Sequence, residues 1–170
     1  TENMPERNYI VVPEVSSENR RYIPIGYMDN SVLCSNKLRI VNSVSLYDFG
    51  ILTSNVHMAW TRSVCGRLKS DYSYSVDIVY NNFPWPTPTE AQKQKIEKTA
   101  QGILNARAKY PGASLGDMYS NLDLFAELKG AHKANDRAVM EGYGMWGSVH
   151  SEAECVAWLF KMYQELTEKH

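Results

Sequence analysis

Nowhere in this chain do eighteen apolar residues run together, so no segment is built to cross a bilayer as a helix. The start, Thr1-Glu-Asn-Met-Pro-Glu-Arg, lacks the basic stretch and apolar run of a secretory signal, which points to the cytoplasm and away from a membrane. Cysteine is scarce. Cys34, Cys65 and Cys155 lie far apart and form no C-x-x-C pair, so buried or idle thiols are expected rather than a disulfide framework or a structural zinc site. Positive charge is also in short supply: the net charge is -1, whereas a protein that neutralises phosphates usually carries a basic excess. The chemical motifs are missing too. No glycine-rich G-x-G turn follows a strand, and there is no P-loop, no G-x-S-x-G and no H-E-x-x-H. A complete cofactor site and a catalytic centre are therefore not expected in this chain.

What is present fits a folded protein. With 170 residues, 44% of them hydrophobic and 22% charged, the chain can bury one respectable core or two small ones. The near-neutral total hides a gradient. Between Arg20 and Ser73 seven Lys or Arg face three acids, whereas from Thr89 to His170 ten face eleven, so any polyanion should meet the first half. The start also enters an extended apolar run within a few residues, at Tyr9-Ile-Val-Val-Pro, which reads as a piece cut from a longer chain.

The proline-rich stretch Phe83-Pro-Trp-Pro-Thr-Pro88 divides two patterns. Before it, Asn8 to Val12, Arg21 to Tyr27 and Lys37 to Val41 read as strands between turn signals. One long helix interrupts them, opened by Ser45 with Asp48, carried by Phe49, Leu52, Val56, Ala59, Trp60 and Val64, and ended at Cys65-Gly66. It is expected to lie on a sheet. From Asp71 to Tyr80 polar and apolar residues alternate with the period of a half-buried strand. After it, three helices are expected: Thr89 to Tyr110, a second carrying Phe125 to Gly142, and a third from Ser151. The expected fold class is α+β, a mixed α/β subdomain over residues 1–88 that is incomplete at its amino terminus, followed by a small helical bundle over 89–170.

Several residues invite a chemical reading and favour a plainer one. Asn81-Asn-Phe-Pro-Trp-Pro86 superficially resembles the loop with which amino-methyltransferases hold a target amine, but Pro-Pro does not follow the Asn, so a structural corner is expected. His132 and Asp136, four apart on a helix, lack a third ligand and read as a helix-packing pair. His57 has no nucleophile placed beside it and reads as a core histidine. A hydrolase would rest on these two histidines alone.

Gly66 to Ser75 stands out. Arg67, Lys69, Asp71 and Ser73, spaced by two on one strand, would present a guanidinium, an ammonium, a carboxylate and a hydroxyl along one edge. Lys donates to guanine O6 and N7, Asp accepts from cytosine N4 and Ser is permissive, so Lys69 and Asp71 together suit the two partners of one G·C pair. The plain alternative is a surface Lys-Asp pair worth less than about 1 kcal/mol.

The unbroken stretch HMAWTRSVCGRLKSDYSYSVDIVYNNFPWP, His57 to Pro86, closely resembles the end of the target-recognition domain of MmeI-like, or type IIL, restriction-modification proteins. Lys109 to Ser120, Glu127 to Val139 and Ser151 to Thr167 resemble the C-terminal helical region of the same proteins, so nearly the whole chain is covered. The resemblance implies a non-catalytic, sequence-specific reader of double-stranded DNA. Its parent would be an adenine-N6 methyltransferase using S-adenosylmethionine, possessing in some members a magnesium-dependent nuclease, and the reader would partner the methyltransferase domain of that same chain. It further implies base reading by Lys69, Asp71 and Ser73, with Lys37 as companion, and backbone contact by Arg67, joined by Arg62 and Arg39. A rival reading is a protein-interaction or scaffold module of a phage-defence methyltransferase; salt-dependent DNA binding separates the two.

Overall fold

A computed structural model describes the backbone of residues 9–13, 15–16, 21–22, 25–28, 38–41, 45–64, 66–68, 71–73 and 82–168, and side chains within 21–22, 25–26, 45–64 and 82–167. The helices are α1 (Leu46–Leu52), α2 (Asn55–Val64), α3 (Glu90–Ala108), α4 (Leu115–Ser120), α5 (Ala126–Tyr143) and α6 (Glu152–Glu168), with a 3-10 turn at Leu122–Leu124.

The expected α+β class is not what forms. Residues described with their side chains are 72% helical, and of them Gly26 alone falls in a strand. The long helix was expected to lie on a sheet; instead α1 packs on α3 and α5, and α2 on α6 and α5. The reason lies in the apolar residues of α1 and α2. Phe49, Ile51, Leu52, Val56, Met58, Ala59 and Trp60 are all buried, which leaves these helices wrapped by other helices rather than bearing one stripe for a sheet. Short extended pieces accompany this body. β1 (Tyr9–Pro13), β3 (Gly26–Met28) and β4 (Leu38–Val41) form one antiparallel ladder; β2 (Val15–Ser16), β5 (Gly66–Leu68) and β6 (Asp71–Ser73) form another.

The helix starts follow local chemistry. Ser45 accepts from the Asp48 N–H while the Asp48 carboxylate accepts from the Ser45 N–H, and Thr89 with Gln92 repeats the device at α3. A third such box, Ser114 with Asp117, starts α4 inside what the periodicity left as a loop. Gly144 ends α5 in the left-handed conformation at φ 79°, and the Met145 N–H reaches back to the Met140 carbonyl at 2.9 Å.

One core joins the elements. Ile96, Ala100 and Ile103 of α3 and Leu128, Ala138 and Val139 of α5 are buried with the residues of α1 and α2. Each fully buried Ile, Leu or Val among them contributes roughly 1.5–3 kcal/mol, and each Ala less. Helices α1 and α3 cross closely at Gly50: a Cβ there would come within 2.9 Å of the Ile96 Cγ2 and 3.1 Å of the Ala100 Cβ. The proline-rich stretch is a packed corner, with the Phe83 ring 4.6 Å from that of His57 and 5.5 Å from that of Trp85, and the Pro84 carbonyl accepting from the Tyr143 hydroxyl at 2.7 Å.

Candidate nucleic-acid interface

Helix α2 delivers the chain to the segment that stood out in the sequence. It ends at Val64, and β5 begins at Gly66. Arg67 and Asp71 do not share one strand, as the spacing by two assumed. β5 and β6 pair antiparallel, Gly66 with Ser73, Arg67 with Tyr72 and Leu68 with Asp71, and β6 pairs on its other edge with β2, Val15 with Ser73 and Ser16 with Tyr72. Asp71 and Ser73 remain two apart on one strand, while Arg67 occupies the register position of Tyr72. Arg39 lies in β4 at the register position of Val12. These four residues are described by backbone; Lys37 and Lys69, like Cys34, Cys65 and most of the expected strand to Tyr80, lie outside the described residues. Arg62 of α2 is described in full. Its guanidinium pairs with the Glu152 carboxylate and donates to the Arg21 carbonyl at 3.3 Å, so it links α2 to the start of α6.

The orientation of α2 is set by a break in the helix that the sequence periodicity reads as continuous. At Thr53-Ser54 the Ser54 hydroxyl donates to the Ile51 carbonyl at 2.6 Å and accepts from the His57 N–H at 3.4 Å, competing with the main-chain ladder and starting a new helix. Such a break strands backbone groups on both sides. Two consecutive residues of α5 take them up. The Asn135 amide donates to the Gly50 carbonyl at 2.7 Å, and the Asp136 carboxylate accepts from the Asn55 N–H, the first of α2, at 2.9 Å. The negative carboxylate there also suits the positive end of the α2 dipole.

Asp136 has a second partner from the far end of the chain. The Tyr22 hydroxyl donates to its other oxygen at 2.5 Å, and the Tyr22 ring stacks on His132 with centroids 4.1 Å apart. Burial raises Asp136 to about 6, against the lowering effects of the Tyr22 hydroxyl, the Asn55 N–H and Arg21. Burial likewise drives His132 to about 3, with Arg107 adding to the fall. The Tyr119 hydroxyl lies 2.5 Å from His132 Nε2 and accepts from Arg107 Nη2 at 2.7 Å, so it donates to a neutral imidazole. His132 and Asp136 thus act as packing residues. A cleft of about 520 Å³ opens beside them, lined by residues that include Arg21, Asn55, Arg62, Lys133, Asp136 and Trp146.

Two further buried titratable groups, His57 and Cys155, are far from their working ranges. His57 is fully buried against Phe83, and desolvation holds it at about 3, far from a working base at neutral pH. Burial pushes the Cys155 thiol up to about 12. Among the described residues no three His, Cys, Asp or Glu side chains gather as a metal would require, and no helix is long and apolar enough to cross a membrane.

Comparison with known proteins fits this architecture. Residues 1–87 match the family model for the MmeI target recognition domain, and residues 88–169 match that for the MmeI C-terminal domain. The chain belongs to the MmeI family. A solved structure of the type IIL restriction-modification enzyme MmeI in complex with DNA is similar to this MmeI-family chain over 98% of its length, with a TM-score of 0.90 and 42% identity. DNA methyltransferase A of Bacillus subtilis (strain 168) is 40% identical over 163 residues, 95% of the chain. The chain spans only 18% of that methyltransferase and 22% of the MmeI chain.

The sequence drew attention to the α2–β5 segment and gave no sign of the whole cluster at the start of α2. The His132–Asp136 spacing was visible; Tyr22, which completes the cluster from 114 residues away in sequence, carried no local signal.

Proposed function

We propose that this chain reads the base sequence of duplex DNA for an adenine-N6 methyltransferase housed in the rest of its parent polypeptide, in the cytoplasm. The observation that carries the reading is its likeness, at a TM-score of 0.90 and 42% identity, to an MmeI structure that contains DNA. The target amine is out of reach inside the base stack, so the parent must extrude the adenine, and the reader must hold the duplex in one register while it does so. Residues 1–88 form the reading part and residues 89–170 the helical part that braces it. Lys69 and Asp71 contact the partners of one G·C pair, with Ser73 and Lys37 beside them. Arg67, Arg39 and Arg62 meet the phosphate backbone, Arg62 from a guanidinium that also pairs with Glu152. S-adenosylmethionine, and magnesium for any nuclease, belong to the rest of the parent. This chain has no glycine-rich turn after a strand to cradle the cofactor.

The decisive test is methylome sequencing of DNA modified by the full-length parent carrying Lys69→Glu and Asp71→Arg together. Donor and acceptor trade places, so preference at one fixed position should reverse from one orientation of the G·C pair to the other, with roughly 1–3 kcal/mol of discrimination. Intact methylation with unchanged specificity would sink the assignment.

A further inference from the structure

The geometry points to Tyr22 and Asp136 as positioning residues for base reading: their hydrogen bond clips the amino-terminal part of the chain and the start of α2 to one carboxylate on α5. The inference rests on the proposed function and goes beyond it, because neither residue lies in the reading segment and both are described with their side chains.

Four observations on different elements support it. Asp136 joins elements far apart in sequence, accepting from Tyr22 at 2.5 Å with one oxygen and from the Asn55 N–H at 2.9 Å with the other. A carboxylate that holds both bonds fixes the approach of the segment at residue 22 to the first turn of α2. Helix α2 then runs ten residues, from Asn55 to Val64, and gives way to β5 at Gly66, so rotation at its start is carried to the β5–β6 pair. Strand β6 is also paired with β2, which lies only six residues before Tyr22. The clip therefore lies close in sequence to both strands that flank β6: α2, which it holds, ends two residues before β5, and β2 ends six residues before Tyr22. Finally, Tyr22 is itself oriented from behind. Its ring stacks on His132, which is held by Tyr119, which is held by Arg107 of α3. Base edges are discriminated by hydrogen bonds whose geometry tolerates little displacement, so loosening the clip should blur the choice of base before it weakens sequence-independent phosphate contact.

The test uses the full-length parent with Tyr22→Phe, Asp136→Ala, Asp136→Asn and the Tyr22→Phe/Asp136→Ala pair. Binding is measured to a duplex carrying the recognised site, to one changed by a single base pair, and to an unrelated duplex. Tyr22→Phe keeps the stack on His132 and Asp136→Ala removes both bonds; each should lower the ratio of cognate to one-base-changed affinity about tenfold while binding to the unrelated duplex holds. The double variant should be no worse than Asp136→Ala, and Asp136→Asn, which keeps an acceptor for the Asn55 N–H and a donor facing Tyr22, should recover much of the loss. An unchanged ratio in Tyr22→Phe and Asp136→Ala overturns the inference. So does a loss that falls equally on all three duplexes, which would mark general destabilisation. If the Lys69–Asp71 exchange redirects specificity while these variants do not, the inference alone fails; if that exchange changes nothing, the reading beneath it fails as well.

Discussion

Lowering the pH of this chain from 6.5 to 4.5 is expected to cost it about 3 kcal/mol of stability, a large fraction of the roughly 5–15 kcal/mol that holds an ordinary domain folded. His57 and His132 fall from 6.5 to about 3 on folding, so in this window the unfolded chain binds protons that the folded chain refuses. Stability from both is full above pH 6.5 and drains as the pH falls towards 3. Because the unfolded imidazole is already half protonated at pH 6.5, each histidine costs roughly 2.3 kcal/mol by pH 4.5. Asp136 works the other way. Raised from 3.8 to about 6, it is protonated more readily in the folded chain and returns roughly 2 kcal/mol over the same interval. Thermal melting followed by circular dichroism across this range checks the sum, and His132→Gln and His57→Gln should each flatten the acid limb. A melting temperature that does not fall between pH 6.5 and 4.5 would contradict the neutral, buried state of both rings.

Asn135→Leu is expected to destabilise the chain by about 3 kcal/mol, although the replacement matches the side chain in size. Asn135 is fully buried. Its amide serves the Gly50 carbonyl at 2.7 Å, and its oxygen accepts from the Thr99 hydroxyl at 2.8 Å. Leucine would leave that buried carbonyl without its donor, because the Ser54 N–H is already bonded to Ile51. Thr99→Val should cost less, about 1 kcal/mol, because it removes one neutral bond and leaves the Asn135 amide on Gly50 in place. Chemical denaturation of the two variants beside the parent sequence measures the difference. Equal effects would mean that the amide on Gly50 carries little of the energy.

The pattern of success in reading the sequence has a physical basis. Helix starts at Ser45, Thr89 and Ser151 depend on residues three apart, and all were legible. The break at Thr53-Ser54 was not, because apolar periodicity runs through it from Leu52 to Val56 and only Asn135 and Asp136, some eighty residues on, make it tolerable. The α+β expectation failed for a related reason. A run such as Phe49 to Trp60 shows that a helix is buried but not what buries it, and here the partners were helices beyond residue 88. In the candidate interface the segment around Arg67 and Asp71 stands out by residue type, and the family resemblance is what turns it into a proposed reader. Its pairing was misread as one strand because alternation over ten residues cannot reveal where a chain turns back. Tyr22 and Asp136 look unremarkable one at a time, and their meeting is a product of the folded core.

That core ignores the boundary between the two family matches. Gly50 lies against Ile96 and Ala100, and Asn135 and Asp136 close the α1–α2 break from the other side. Relatives that exchanged their halves by recombination near the prolines would have to inherit matching surfaces at every one of these contacts, and most chimaeras would arrive misfitted. Point changes outside this packed body carry no such burden. The two halves therefore form one mechanical unit, in which a change on one side of the prolines is felt on the other.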